Sequence, residues 1–160
     1  MTDKELIADT ILHKKIVLEV GQKMVDYLFN NNRPEDALQL ARRCARHDNS
    51  KFESDEMQAL LQIPKDLNNM KDADTPIPDQ MKKFVEMHWK HNRHHPEFFE
   101  DYHDMTELDI IEMVIDWYAR SLQFKTDFKD FVIKRQNNRF HFDDDFFAII
   151  WSYCLIIDET

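Results

Sequence analysis

The stretch HWKHNRHHPEFFEDYHD, residues 88–104, carries five of the chain's eight histidines. Imidazole moves protons near neutral pH and ligates divalent transition metals, so this density raises both kinds of chemistry. His88 and His91 stand three residues apart, and His91 and His95 four apart, spacings that bring side chains to one helix face. His94 and His95 fall at the helix end, where geometry is less constrained. Away from this stretch, His47 and Asp48 are neighbours in sequence. Adjacent helical residues diverge by about 100°, but at a helix terminus both can turn toward one ion, an imidazole nitrogen beside a carboxylate oxygen. The plainer reading is a histidine completing the helix dipole and an aspartate capping a turn.

His13 falls on an apolar stripe, where it is either a core histidine satisfied by a neighbour or a ligand. Asp116, in EMVIDW, adjoins Met113 and Trp117, with Glu112 one turn earlier. Here the alternative is a solvated face of Asp109, Glu112, Asp116 and Arg120, with Asp116 and Arg120 pairing at i,i+4 for a few tenths of a kcal/mol. His103 and His141 read as surface or cap residues. Lys51 and Arg93 are ordinarily solvated, yet either reaches a phosphate if the histidines line a pocket.

The elements that must position these groups all read as helices. Leu6, Thr10, His13, Val17, Val20 and Met24 form one stripe, flanked by Ile7, Ile11, Leu18, Gly21, Val25 and Leu28. NNNRPED then breaks the chain and starts a helix with Pro34 in its first turn. Its apolar positions Ala37, Leu40, Ala41 and Cys44 lead at helical spacing to His47 and Asp48. A short helix runs through SDEMQALLQI, started by Ser54 and stopped at Pro64. Residues 64–79, with three prolines and several acids, read as an irregular loop. A helix from about Gln80, with Met81, Phe84, Val85, His88 and Trp89 inward, ends before Pro96. Thr106 and Asp109 resemble a capping box at the head of MTELDIIEMVIDWYARSLQF. Further helices are expected over about 127–137 and 143–157. These seven segments, with no alternating strand pattern and a single Gly, predict an all-α bundle of about six to seven helices. At 160 residues the chain is sized for one compact domain over 1–160.

Composition narrows the partners. With 31 acidic and 21 basic residues, a formal charge of -10 opposes binding to a nucleic-acid polymer, where affinity rests on Lys and Arg displacing counterions. A small phosphorylated ligand needs a local cation to offset that field. The longest apolar run, FFAIIWSYCLII at 146–157, is well below the roughly 20 residues of a membrane span. Two distant cysteines, Cys44 and Cys154, in apolar contexts read as reduced thiols, and no secretory signal precedes them. A cytoplasmic location without membrane association is expected.

The series His13, then HD at 47–48, then the clustered histidines, then Asp116 resembles the HD-domain metal-dependent phosphohydrolase superfamily. More closely, HDNSKF, NRHHPEFF, EMVIDWYA and NNRF are similar to a family of small uncharacterised bacterial and phage proteins within or near it, over about residues 10–142. The resemblance implies an HD-domain-like helical fold around a divalent ion. It implies His13, His47, Asp48 and Asp116 as ligands of a primary metal, with His88 and one of His94 or His95 holding a second ion or facing a leaving phosphate. Lys51 would contact substrate oxygens where many HD enzymes carry an acid, and Glu112 would either accept the proton of the attacking water in its place or support a ligating histidine.

The function expected on these grounds is hydrolysis of a nucleotide or other small phosphate ester by a metal-activated water. One or two ions of Mn, Mg, Co, Ni, Zn or Fe are implied. Asp48, Lys51 and Glu112 are the candidate catalytic residues, and Lys51 and Arg93 the candidate substrate contacts. Two alternatives use the same residues: a di-iron oxygenase, or a protein that binds a metal, a nucleotide or a host partner without turnover.

Overall fold

Thr2 accepts a hydrogen bond from the Glu5 amide while the Glu5 side chain accepts from the Thr2 amide, and this reciprocal cap starts α1, Asp3–Asn30. The structure is a computed structural model describing residues 2–63 and 78–160. Pro34 opens α2, Pro34–Arg46, with Glu35 and Asp36 in its first turn and Arg43 and Arg46 in its last, the charge order the helix dipole favours. A 3-10 turn, Asn49–Phe52, leads into α3, Ser54–Leu61. Then come α4, Asp79–His91, two short 3-10 turns, α5, Glu107–Phe124, and α6, Phe128–Arg135. A π turn, Gln136–Phe140, extends α6, and α7, Asp144–Glu159, closes the fold. Among the described residues there are seven α-helices and no strand, an all-α single-domain bundle as the periodicity predicts. None of these helices is long and apolar enough to cross a membrane.

α5 is the central element: Leu108 through Trp117 are all buried, and the helix touches α1, α2, α6 and α7. A helix apolar or buried all round belongs in an interior. Its acids therefore do not face solvent. Asp109 is 0% exposed, and Glu112 and Asp116 are buried beside it, which overturns the solvated-face reading. α1 crosses both α2 and α5. At the α1–α2 contact Gly21, the chain's one glycine, faces Cys44 so closely that an added Cβ would lie 2.6 Å from the thiol sulfur. Mid-helix glycine costs about 1 kcal/mol relative to alanine, and here it permits the close approach of the helices that carry His13 and His47. α3 and α4 pair off to one side around a smaller cluster of Leu6, Leu60 and Ile63, flanked by Met81, Phe84 and Val85.

Several boundaries differ from the sequence reading. Ile7, Ile11 and Leu18 are exposed, so of the flanking row only Gly21 and Leu28 are buried with the central stripe of α1. Ser54 is the first residue of α3 and makes no cap, Glu53 holding that place. α4 stops at His91, four residues short of His95, because the Asn92 side chain bonds the His88 carbonyl and the chain leaves helical dihedrals there. The loop expected at 64–79 falls almost wholly outside the described residues, and Asp79 already belongs to α4.

Candidate metal centre

The first ligand group is made by the end of α2. Arg46 is the last helical residue, His47 is extended at φ -47, ψ 129, and Asp48 is left-handed at φ 57, ψ 17. Aspartate is one of the few residues that visits that region readily. Lys14 of α1 holds the bend by donating to the His47 carbonyl at 2.5 Å and to Asn49 Oδ1 at 2.6 Å. Together these turn both His47 and Asp48 inward, where each is almost fully buried. The plain dipole-and-cap reading of this pair does not describe it.

His13 from α1 and Asp116 from α5 meet them. His13 Nε2 lies 2.9 Å from Asp116 Oδ1 and 3.9 Å from Asp48 Oδ2, while His47 Nε2 lies 3.6 Å from Asp48 Oδ1 and 3.7 Å from Asp116 Oδ1. On the other side of Asp48, His88 Nε2 stands 3.4 Å and His94 Nε2 3.5 Å from Oδ1. His95 Nε2 is 3.0 Å from His88 Nε2. Asp48 is thus common to both halves. Three overlapping sets have ligand atoms mutually close enough to share an ion: Asp48, His88, His94 and His95; His13, His47 and Asp116; and His47, His94 and Glu112.

The inner atoms have metal-ligand character. His13 Nε2, His47 Nε2, His94 Nε2 and Asp48 Oδ1 are buried and have no aligned hydrogen-bond partner, an arrangement that is costly unless something else satisfies them. Donors about 2.1 Å from one ion stand about 3.0 Å apart at right angles and about 3.4 Å apart at tetrahedral angles. The separations here run from 2.9 to 3.9 Å, from that range to about 0.5 Å beyond it. The residues present therefore fit one or two divalent ions.

The outward nitrogens are anchored. Glu112 Oε1 accepts from His47 Nδ1 at 3.0 Å and lies 3.3 Å from His94 Nδ1, and Glu112 Oε2 faces Arg43 at 3.3 Å. Glu56 Oε1 accepts from His88 Nδ1 at 2.6 Å. A carboxylate on Nδ1 fixes the tautomer and leaves the Nε2 lone pair free for a metal. Glu112 therefore sits behind the imidazoles, and of its two expected roles it has the place for supporting them. It also lines, with His47 and His94, a groove on the side away from Lys51.

Charge follows burial. Burial and the nearby Arg120 push His13 down to about 4 against the pull of Asp116, leaving it neutral. Burial likewise lowers His88, and burial with His94 and His88 holds His95 well below its ordinary value. For His47 burial again opposes protonation, but Asp48, Asp116 and Glu112 outweigh it and push the ring up to about 10. Burial works against the charged forms of Asp48 and Asp116, yet Lys51 and the imidazoles hold Asp48, and His13 and His47 hold Asp116, well below the carboxylate range. A proton on His47 occupies the place of a cation, so ion uptake must expel it.

The centre opens on one side into a cavity of about 150 Å³, lined by Asp48, Lys51, His88, His95 and Asp116. Lys51 Nζ donates to Asp48 Oδ2 at 2.6 Å there. Arg93 does not join this group. It makes two hydrogen bonds to Asp109, lies over the rings of Phe98 and Phe99, and lines, with Arg42, Arg43 and Arg46, the groove that His47, His94 and Glu112 share. His103 and His141 lie outside both cavities. Sequence reasoning missed Glu56, whose helical register with buried Leu60 was the available signal, Arg135 at the end of α6, and Arg139, which lies within the π turn.

With this geometry in hand, residues 2–154 match the profile of a family of unknown function, DUF5662. The chain belongs to that family. The match takes in His13, His47, Asp48, His88, His94, His95 and Asp116 alike. No curated protein and no solved structure matches the chain.

Proposed function

We propose that the protein is a metal-dependent phosphohydrolase of the HD-domain kind, acting on a nucleotide or other small phosphate ester. The observation that carries this reading is the convergence of four buried, unpartnered ligand atoms, His13 Nε2, His47 Nε2, His94 Nε2 and Asp48 Oδ1, beside a pocket lined by Lys51, Arg120, Arg135 and Arg139. His13, His47, Asp48 and Asp116 would hold one ion, and His88, His94 and His95, with Asp48 shared, a second. A divalent ion there supplies a water acidic enough to ionise near neutral pH and positive charge against the phosphate. Glu112 and Glu56 keep the Nδ1 protons of the imidazoles in place, and Lys51, already at the pocket wall, faces the phosphate oxygens. The local cations let a chain of charge -10 accept an anion.

Three imidazoles in one ligand set, His88, His94 and His95, give specific support to a second reading, a di-iron oxygenase. One experiment separates the two. The protein is purified without chelator, its metal content measured, and phosphate release and oxygen uptake followed with Mn, Mg, Co, Ni, Zn and Fe. Phosphate release in multiple turnovers is the expected result. Oxygen uptake with bound iron and no phosphate release selects the oxygenase; failure to bind any metal sinks both.

A further inference from the structure

Four cations line the pocket beyond the candidate ligands, and three of them have acidic neighbours. Lys51 meets Asp48, Arg120 lies near Asp9 and Asp116, and Arg139 pairs with Glu97. Arg135 differs. Its Nε is buried with no hydrogen-bond partner, and its guanidinium rests over the Phe131 ring at 4.8 Å. Among the described residues no carboxylate pairs with it. The residue is half-buried, but a buried N–H donor left without an acceptor costs free energy that a ligand oxygen would recover. Burial and the charge of Arg139 push it down to about 9, against the pull of Asp116 and Glu97.

The backbone singles out the same place. Arg135 is the last residue of α6, where the helix widens into the π turn Gln136–Phe140. Such turns are rare and concentrate at functional positions. This one brings Arg139 and Phe140 to the pocket that Arg135 lines. Arg139 is itself fixed, by Glu97 and by the faces of Trp89 and Phe140, so the wall is rigid around the unpaired group. A planar fork of donors with no protein acceptor matches the paired oxygens of a tetrahedral oxyanion.

We propose that Arg135 anchors an oxyanion site in this pocket and takes a phosphate group of the ligand through its guanidinium, with Arg139 and Lys51 on the flanks. This deepens the hydrolase reading by naming the side chain that recognises the phosphate. The binding itself requires neither turnover nor an ion, so the two can fail separately.

The test follows inorganic phosphate binding to the full chain by calorimetry and thermal unfolding, in chelated and metal-loaded samples whose metal content is measured. Wild-type protein is expected to gain Tm with phosphate and with sulfate, and not with acetate at equal ionic strength. Arg135→Met is expected to raise Tm in phosphate-free buffer, because a buried donor without an acceptor is removed, and to weaken the phosphate Kd at least tenfold. Arg135→Lys, which keeps the charge but loses the fork, is expected to weaken it as well, with metal content unchanged in both variants. A phosphate Kd within twofold of wild type in Arg135→Lys or in folded Arg135→Met overturns the proposal, as does equal protection by acetate. Loss of metal binding with phosphate binding intact overturns the hydrolase reading and leaves this site standing.

Discussion

Two histidine–carboxylate clusters stand in this protein, and they are built oppositely. On the surface, His103 is half exposed and has both ring nitrogens taken: Nδ1 lies 2.6 Å from Asp101 and Nε2 2.5 Å from Asp143. Asp143 also caps α7 by accepting from the Phe146 amide at 2.8 Å. In the interior, His47 has Nδ1 on Glu112 and His88 has Nδ1 on Glu56, while the Nε2 atoms turn toward Asp48. The same residue types thus make a lock in one place and a candidate metal centre in the other. What separates them is free valence: the surface ring has no lone pair left to offer, and the buried rings offer theirs to a common point.

The largest expected effect breaks that point. Asp48 is the carboxylate that faces the Nε2 atoms of both halves, so Asp48→Ala is expected to abolish metal binding and any turnover, measured by metal analysis and phosphate release. Far-ultraviolet circular dichroism should retain the helical signal, since the core is made by α5 and its neighbours. Metal retained at wild-type stoichiometry would show that Asp48 is not the bridge.

Next comes the support behind the rings. Glu112→Gln removes the charge that holds His47 and His94 together, and outer partners of this kind are worth about 10–100-fold in metal affinity. It also removes one of three acids that raise His47. In the wild type, protons compete for His47 below about pH 10, so metal affinity is expected to rise with pH over the neutral range. Glu112→Gln should flatten that dependence, checked by calorimetry in buffers of different ionisation heat. Glu56→Gln touches the His88 side alone, and an effect at the lower end, about tenfold, is expected on the second ion only. Equal loss of both ions would mean that the halves act as one site.

How much of this contrast was legible in the sequence depends on how local its causes are. The candidate ligands announced themselves because each sits on or beside an apolar stripe, His13 among Leu6, Val17 and Val20, Asp116 beside Met113 and Trp117. The seven helices followed from the same periodicity. Glu112 was marked by the resemblance, but Glu56 was not, since it looks like any acid on a helix until α3 is docked against the histidines. The Arg93–Asp109 pair was hidden for a similar reason, its partners sixteen residues apart and Asp109 buried. Arg135 is the clearest case. As the last residue of α6 it looks like any cation on a helix, and Arg139 joins it at the pocket through a π turn that no spacing in QNNRF distinguishes from one more helical turn.

The smallest effect is expected at His103, and it sharpens the comparison from the other side. Asp143 and Asp101 raise His103 above the ordinary imidazole value, although both it and its partners are exposed. A raised histidine contributes stability that is fully present below its unfolded pKa of about 6.5 and is lost as pH rises through the folded value. His103→Ala should therefore lower Tm slightly in mildly acidic buffer and leave it unchanged in alkaline buffer. Metal content should not move at either pH, because neither nitrogen faces the centre and Asp143 keeps its cap on α7 without the ring. A loss of metal in His103→Ala would mean that exposure and saturated valence do not distinguish a lock from a ligand, and the division between the two clusters would have to be drawn on other grounds.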